Sequence, residues 1–382
     1  LLSLVQKIDQ GTEAKELREY ANELIAQDAL EYSSQACKAK LSQDSPSSSP
    51  TPPLSSTGRS LQNLKTILPS DRTKLSGIRR NMSGEITSDP QVMAEIADEF
   101  WKGVWSKRDK APSATKDYLK GYKKILGADV RKLPTLVDDL SFIDIINSTN
   151  NSCAGPDGVP FAVYRAAPLF YSKIAAGIFL ALSEGVQIPK GFNDGFLFLH
   201  PKKGTILPDD TRPLSVTNAF NRIIASGVVS SITPSLQAFL EPNQKGFIPG
   251  RSGDDHIRDL NRKFYNAVKD KDKNSNLYVL FVDTKKAFDS IDHDYILLLL
   301  KKIGFPVWLC NLVRGLLSGA RVNPILGGSS DVWIHINRGV KQGCPLSPLL
   351  FALAYDPLLT FLSTIDSLDT LAFADDLSLI YI

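Results

Sequence analysis

Cysteine is scarce in this 382-residue chain: there are four, and no two of them form a CxxC pair. Cys37, Cys153, Cys310 and Cys344 are far apart and none stands with a histidine at zinc-ligand spacing, so reduced intracellular thiols are the default reading. Long apolar runs are missing as well, and nothing approaches the roughly 20 residues needed to span a bilayer. The Leu1-Leu2-Ser3 start lacks the charged-then-apolar pattern of a signal peptide. Net charge is low: 44 Lys and Arg against 41 Asp and Glu leave +3, so any polyanion site must come from local clustering. There is no internal repeat and no heptad run. What remains is 43% hydrophobic and 22% charged residues, the composition of a globular protein with room for two or three domains.

Residues 1–41 carry apolar residues near helical spacing and predict one or two amphipathic helices. Residues 42–60 are rich in Ser and Pro, cannot build a core and predict a linker. Within 61–135, the stretch from Trp101 to Lys132 sets ten Lys or Arg among only three Asp, interleaved with Trp101, Trp105, Tyr118 and Tyr122. That mixture suits a nucleic-acid backbone, since cations displace counterions and rings stack; an ordinary solvated helix face with its aromatics in the core fits equally well. From 136 onward, helices are expected near 136–149, 161–185, 214–232, 254–269, 292–303 and 345–363, and strands near 195–200, 277–283, 332–337 and 370–373. The fold class expected from this alternation is α/β or α+β. The Leu start and the strand-like finish at Leu377–Ile382 read as the ends of an excised piece.

Leu277–Val282 is a run of six apolar residues that predicts a buried strand delivering Asp283 at its C-terminal end. Near the end of the chain, Leu371–Ala374 runs into Asp375-Asp376 and then a second apolar stretch, which predicts a hairpin with two aspartates in its turn. If these elements share a sheet, three carboxylates converge. Oxygen-only ligands select Mg²⁺, or Mn²⁺, over zinc. Two such ions about 3.5–4 Å apart activate an attacking hydroxyl and stabilise leaving pyrophosphate, which is nucleotidyl transfer. Taken alone, an Asp-Asp turn is more often merely solvated.

Other motifs keep these carboxylates company. Asp283-Thr284-Lys285-Lys286-Ala287-Phe288-Asp289 resembles the D-x-x-K-A-F-D block of the reverse transcriptases of non-LTR, LINE-type retrotransposons, with group II intron enzymes as more distant relatives. Phe373-Ala374-Asp375-Asp376 is similar to the family's A-D-D block. Gly339-Val340-Lys341-Gln342-Gly343-Cys344-Pro345-Leu346-Ser347-Pro348 nearly copies its G-V-x-Q-G-x-P-L-S-P block. Ala352 departs from the pattern, since many members have Asn there. The resemblance spans residues 90–382 and implies an α+β right-hand polymerase: fingers, and a palm whose antiparallel sheet is backed by helices, within 136–382, preceded by a helical extension, with the thumb absent.

By resemblance, Asp283, Asp375 and Asp376 are catalytic and bind metal, with the Thr284 carbonyl completing a metal shell; the cofactor is two Mg²⁺, with Mn²⁺ as a substitute. Phe288 matches the position that blocks a ribose 2′-OH. Gln342 offers an amide to the sugar, and Gly343 leaves space where a nucleotide nears the backbone. Lys202 and Arg212 match the segments that grip the triphosphate. Arg251 in Gln244-Lys245-Gly246-Phe247-Ile248-Pro249-Gly250-Arg251, together with Gly155, Asp157 and Gly158 in the Pro/Gly turn and Lys286, is expected at the template or primer. The function implied is RNA-directed DNA synthesis with RNA template, DNA or RNA primer and dNTPs as partners, no membrane, and a nuclear or cytoplasmic setting. The alternatives are a decayed copy that binds nucleic acid without chemistry, and an intron-type or domesticated polymerase.

Overall fold

The computed structural model describes residues 75–107, 112–127, 139–202, 206–269, 278–328 and 330–381. All of them belong to the second of two compact units, which divide at residues 62 and 63. The predicted segments 1–41 and 42–60 lie outside the described residues.

The helices are α1 (Pro90–Trp105), α2 (Pro112–Lys120), α3 (Asp139–Ser148), α4 (Phe161–Ala166), α5 (Pro168–Ser183), α6 (Ala219–Phe239), α7 (Asp254–Lys269), α8 (Ala287–Ser290), α9 (His293–Ile303), α10 (Val307–Leu317) and α11 (Ser347–Leu362). The strands are β1 (Asp194–Pro201), β2 (Thr211–Thr217), β3 (Tyr278–Val282), β4 (Arg321–Pro324), β5 (Ile334–His335), β6 (Leu368–Phe373) and β7 (Asp376–Tyr381). They form one sheet of order β2-β1-β4-β5, in which only β1 and β4 run parallel, and a fully antiparallel sheet of order β3-β7-β6. The architecture is α+β.

Three apolar clusters hold these layers. The largest gathers α3, α5, α6, α9, α10 and α11 around Phe142, Phe179, Ile223 and Phe351. A second lies between α1 and the four-stranded sheet. Asp89 caps α1, accepting from the backbone N–H of Gln91 and Val92 at 3.0 Å each, and Pro90 occupies the first turn where its missing N–H costs nothing. Met93, Ala97, Trp101 and Trp105 then recur every four residues and bury one face against Leu197 and Leu199, which lie two residues apart on β1. The third cluster, Leu359, Ala372 and Leu377, seats α11 beneath the three-stranded sheet.

Three expectations are corrected. The strand expected to be buried before Asp283, β3, is an edge strand whose Tyr278, Leu280 and Phe281 are exposed, because only β7 pairs with it. Residues 214–217, expected in a helix, form the end of β2, and the helix begins only at Ala219. The reason is an inverted pattern: Thr211, Ser215 and Thr217 point inward while Leu214 is 43% exposed, so the apolar residues do not report the buried face. Pro213 fits because β2 is an edge strand. Helix α10, absent from the expectation, buries Leu309, Leu312, Val313 and Leu316. In the basic aromatic stretch, Trp101, Trp105 and Tyr122 belong to the core, leaving Tyr118 half exposed.

Candidate active site

Val282 pairs with Leu377 and Phe373 with Asp376, so Asp283, one residue past β3, stands beside Asp376 at the same end of the sheet as the turn that carries Asp375. Only Ala374 and Asp375 connect β6 to β7, and Ala374 takes a left-handed φ of 56°. A non-glycine residue holds that conformation only when its surroundings enforce it. The enforcing group is Gln244. Its buried side chain accepts from the Ala374 N–H at 2.8 Å and donates to the Ala374 carbonyl at 3.1 Å, while also accepting from the Gly246 N–H at 2.9 Å. Gly246 lies so close that a Cβ there would stand 2.3 Å from the Ala374 nitrogen. The glutamine and glycine of the Gln244–Arg251 block therefore shape the aspartate turn.

The three carboxylates open onto a cleft of about 680 Å³ that Lys202, Arg212, Thr284, Phe288, Gln342 and Gly343 also line. Burial pushes the Asp375 carboxyl above its ordinary range, Asp376 and Asp283 raise it further, and Arg212 pulls it back. That mutual repulsion, with donors that are all oxygen, fits a hard divalent cation. Among the described residues, no three His, Cys, Asp or Glu side chains already stand at metal-holding distance from one another.

Lys202, one residue past β1, and Arg212 on β2 are both exposed and line the same cleft as the carboxylates. Lys203 lies outside the described residues. Phe288 stacks on Phe351 at 4.2 Å and meets Phe247 edge-on at 5.9 Å, forming an aromatic wall. The loop to Gln342 is built by close approach. Gly343 has φ 113°, and a Cβ there would stand 2.4 Å from the Ser215 carbonyl; Ser215 in turn donates its N–H to the Gln342 carbonyl at 2.7 Å. The approach of strand β2 by itself requires a glycine here, and Gly343 also lines the cleft.

The residues expected at the template or primer are tied into the fold. Arg251 donates to the main-chain carbonyls of Gln237, Leu240, Glu241 and Gln244 at 2.5–2.9 Å, tying off the C-terminus of α6, instead of standing in the cleft. Gly155, Asp157 and Gly158 form a turn against Asn218, whose side chain accepts from the Asp157 N–H at 3.1 Å; they also lie outside the cleft lining. Lys286 lines the cleft, but its amine sits 4.4 Å over the Trp101 ring and donates to the Thr211 carbonyl at 3.1 Å. Sequence reasoning passed over Gln244 and Asp289. The Asp289 carboxylate, nearly fully buried, accepts from Trp105 and Gln342.

A hairpin of paired aspartates beside a strand-end aspartate, faced by cations across a cleft, defines a polymerase fold. Residues 200–381 match the family described as reverse transcriptase (RNA-dependent DNA polymerase). The chain is 25% identical over 285 residues to the transposon TX1 uncharacterized 149 kDa protein of Xenopus laevis, covering 73% of this chain and 21% of that protein. It is 28% identical over 247 residues to the Pol polyprotein of the type-1 retrotransposable element R2 of Nasonia vitripennis, covering 62% and 23%. With the Pol polyprotein of the type-2 element R2DM of Drosophila melanogaster it shares 31% identity over 248 residues, covering 60% and 22%. It spans between a fifth and a quarter of the length of these relatives. Residues 200–381 thus carry the reverse transcriptase match, and the relatives that the chain resembles include Pol polyproteins of retrotransposable elements.

Proposed function

We propose that this chain is the polymerase portion of a retroelement protein that copies RNA into DNA, joining dNTPs to the 3′-OH of a DNA or RNA primer. The observation that carries the reading is one cleft that gathers Asp283, Asp375 and Asp376 from neighbouring strands and faces them with Lys202, Arg212 and Gln342. In this reading the β3-β7-β6 sheet on α11 is the palm, and the β1–β2 hairpin belongs to the fingers. Lys202 and Arg212 hold the triphosphate, Arg212 bidentately, and Phe288 closes the space that a 2′-OH would need. Asp283, Asp375, Asp376 and the Thr284 carbonyl hold Mg²⁺, or Mn²⁺ in its place. Bound there, two such ions supply activation of the primer hydroxyl and neutralisation of the leaving pyrophosphate. The repulsion from Asp376 and Asp283 that helps raise the Asp375 carboxyl is what a cation would offset, so metal and proton compete for this group.

The test is extension of oligo(dT) on poly(rA) with dTTP and Mg²⁺ by the full-length protein. The reading predicts DNA synthesis that stops on chelation and resumes with Mg²⁺ or Mn²⁺. A folded protein that binds the primer–template and adds no nucleotide overturns it.

A further inference from the structure

Trp105 lies on the last turn of α1, nearly a hundred residues before the matched domain, yet it reaches the nucleotide side of the cleft through one residue. Its indole N–H donates to Asp289 Oδ1 at 3.2 Å, and Gln342 Nε2 donates to Oδ2 of the same carboxylate at 3.3 Å. Trp105 is 2% exposed and Asp289 3%, so water does not compete for these bonds. The indole is held in place: it stacks on Trp101 at 4.7 Å, and the Lys286 amine sits 4.4 Å over the Trp101 ring. The same helix end holds the loop itself. The Asn337 N–H donates to the Trp105 carbonyl at 3.1 Å, and two residues on, Gly339 and Val340 donate to the Ile291 and Phe288 carbonyls at 2.6 and 2.8 Å.

A side-chain amide has a donor end and an acceptor end, and a carboxylate accepts only from the donor end. Asp289 therefore selects one of the two flips of Gln342, the one that leaves its carbonyl oxygen for the cleft. We infer that Trp105 is a positioning residue for the incoming nucleotide. It orients Asp289, which holds the Gln342 amide so that its oxygen accepts from a hydroxyl of the nucleotide sugar. The helix α1 extension is then part of the nucleotide site, although it touches no nucleotide.

The inference rests on the polymerase reading, and its test separates the two. Trp105→Phe keeps the ring stack and removes only the N–H. In primer extension with dTTP it should raise KM about five-fold, the loss of one buried hydrogen bond, with kcat changed less than about two-fold. Discrimination against the 3′-deoxy analogue of dTTP should fall in parallel. Asp289→Asn, which would turn the Gln342 amide over, should give the same KM effect, and Trp105→Phe should add nothing on a Gln342→Leu background. An active parent whose KM is indifferent to Trp105→Phe overturns the inference but leaves the polymerase reading intact. A second readout does not need activity: the thermal-midpoint shifts of Trp105→Phe and Gln342→Leu should be non-additive if Asp289 couples them, and additive shifts also overturn the inference.

Discussion

Asp289 carries a carboxyl group pushed up to about 6, chiefly by burial, with Trp105, Lys286 and Gln342 pulling it back. An aspartate in the unfolded chain titrates near 3.9. The folded protein therefore holds this proton more tightly than the unfolded chain, so stability falls as pH rises from about 4 to about 6 and then levels off. Asp289→Asn should flatten that part of a plot of thermal midpoint against pH; an unchanged slope would assign the titration elsewhere. Phe288 has two duties in one ring. Truncation to Ala removes the stack on Phe351 and the edge contact with Phe247. The predicted cost is about 3 kcal/mol in denaturant unfolding. The same variant should admit rNTPs, read as a higher ratio of kcat/KM for rNTP over dNTP.

At the scale of elements, the aspartate turn depends on a partner 130 residues earlier in the chain. Gln244→Leu keeps the volume but strands the Ala374 N–H and carbonyl in a buried setting, a predicted loss of about 2–3 kcal/mol. Because the turn carries Asp375, kcat should drop more than KM changes; equal kcat would show that the hairpin holds itself. The carboxylates and the loop to Gln342 were legible in sequence because each sits at the end of an unambiguous apolar run or within a dense motif. Gln244 was not, since nothing local reveals a partner so far downstream. Strand β2 was hidden by its inward Thr and Ser. Arg251 sits inside a recognisable block, yet the carbonyls it satisfies are those of the preceding helix end, and a motif does not show which way a guanidinium turns.

At the scale of the molecule, the described segments 75–107 and 112–127 are wired into the matched residues 200–381. Besides the Trp105 relay, the Tyr122 hydroxyl donates to buried Asp356 at 2.5 Å, and Lys124 pairs with Asp356 and Glu241 at 3.2 and 3.0 Å. Burial is the main reason the Tyr122 hydroxyl is held far above its ordinary pKa, and Asp356 adds to it. Tyr122→Phe should lower stability by about 1–3 kcal/mol while leaving the kinetics of extension unchanged, measured on the same preparation. The central claim is that the cleft of Asp283, Asp375 and Asp376 performs nucleotidyl transfer. Its most direct measurement is primer extension on an RNA template by Asp375→Ala beside the parent, with thermal unfolding of both. The account predicts that extension falls to background while the midpoint holds or rises, because a half-buried, mutually repelled carboxylate is gone. Undiminished extension by the folded variant would contradict it.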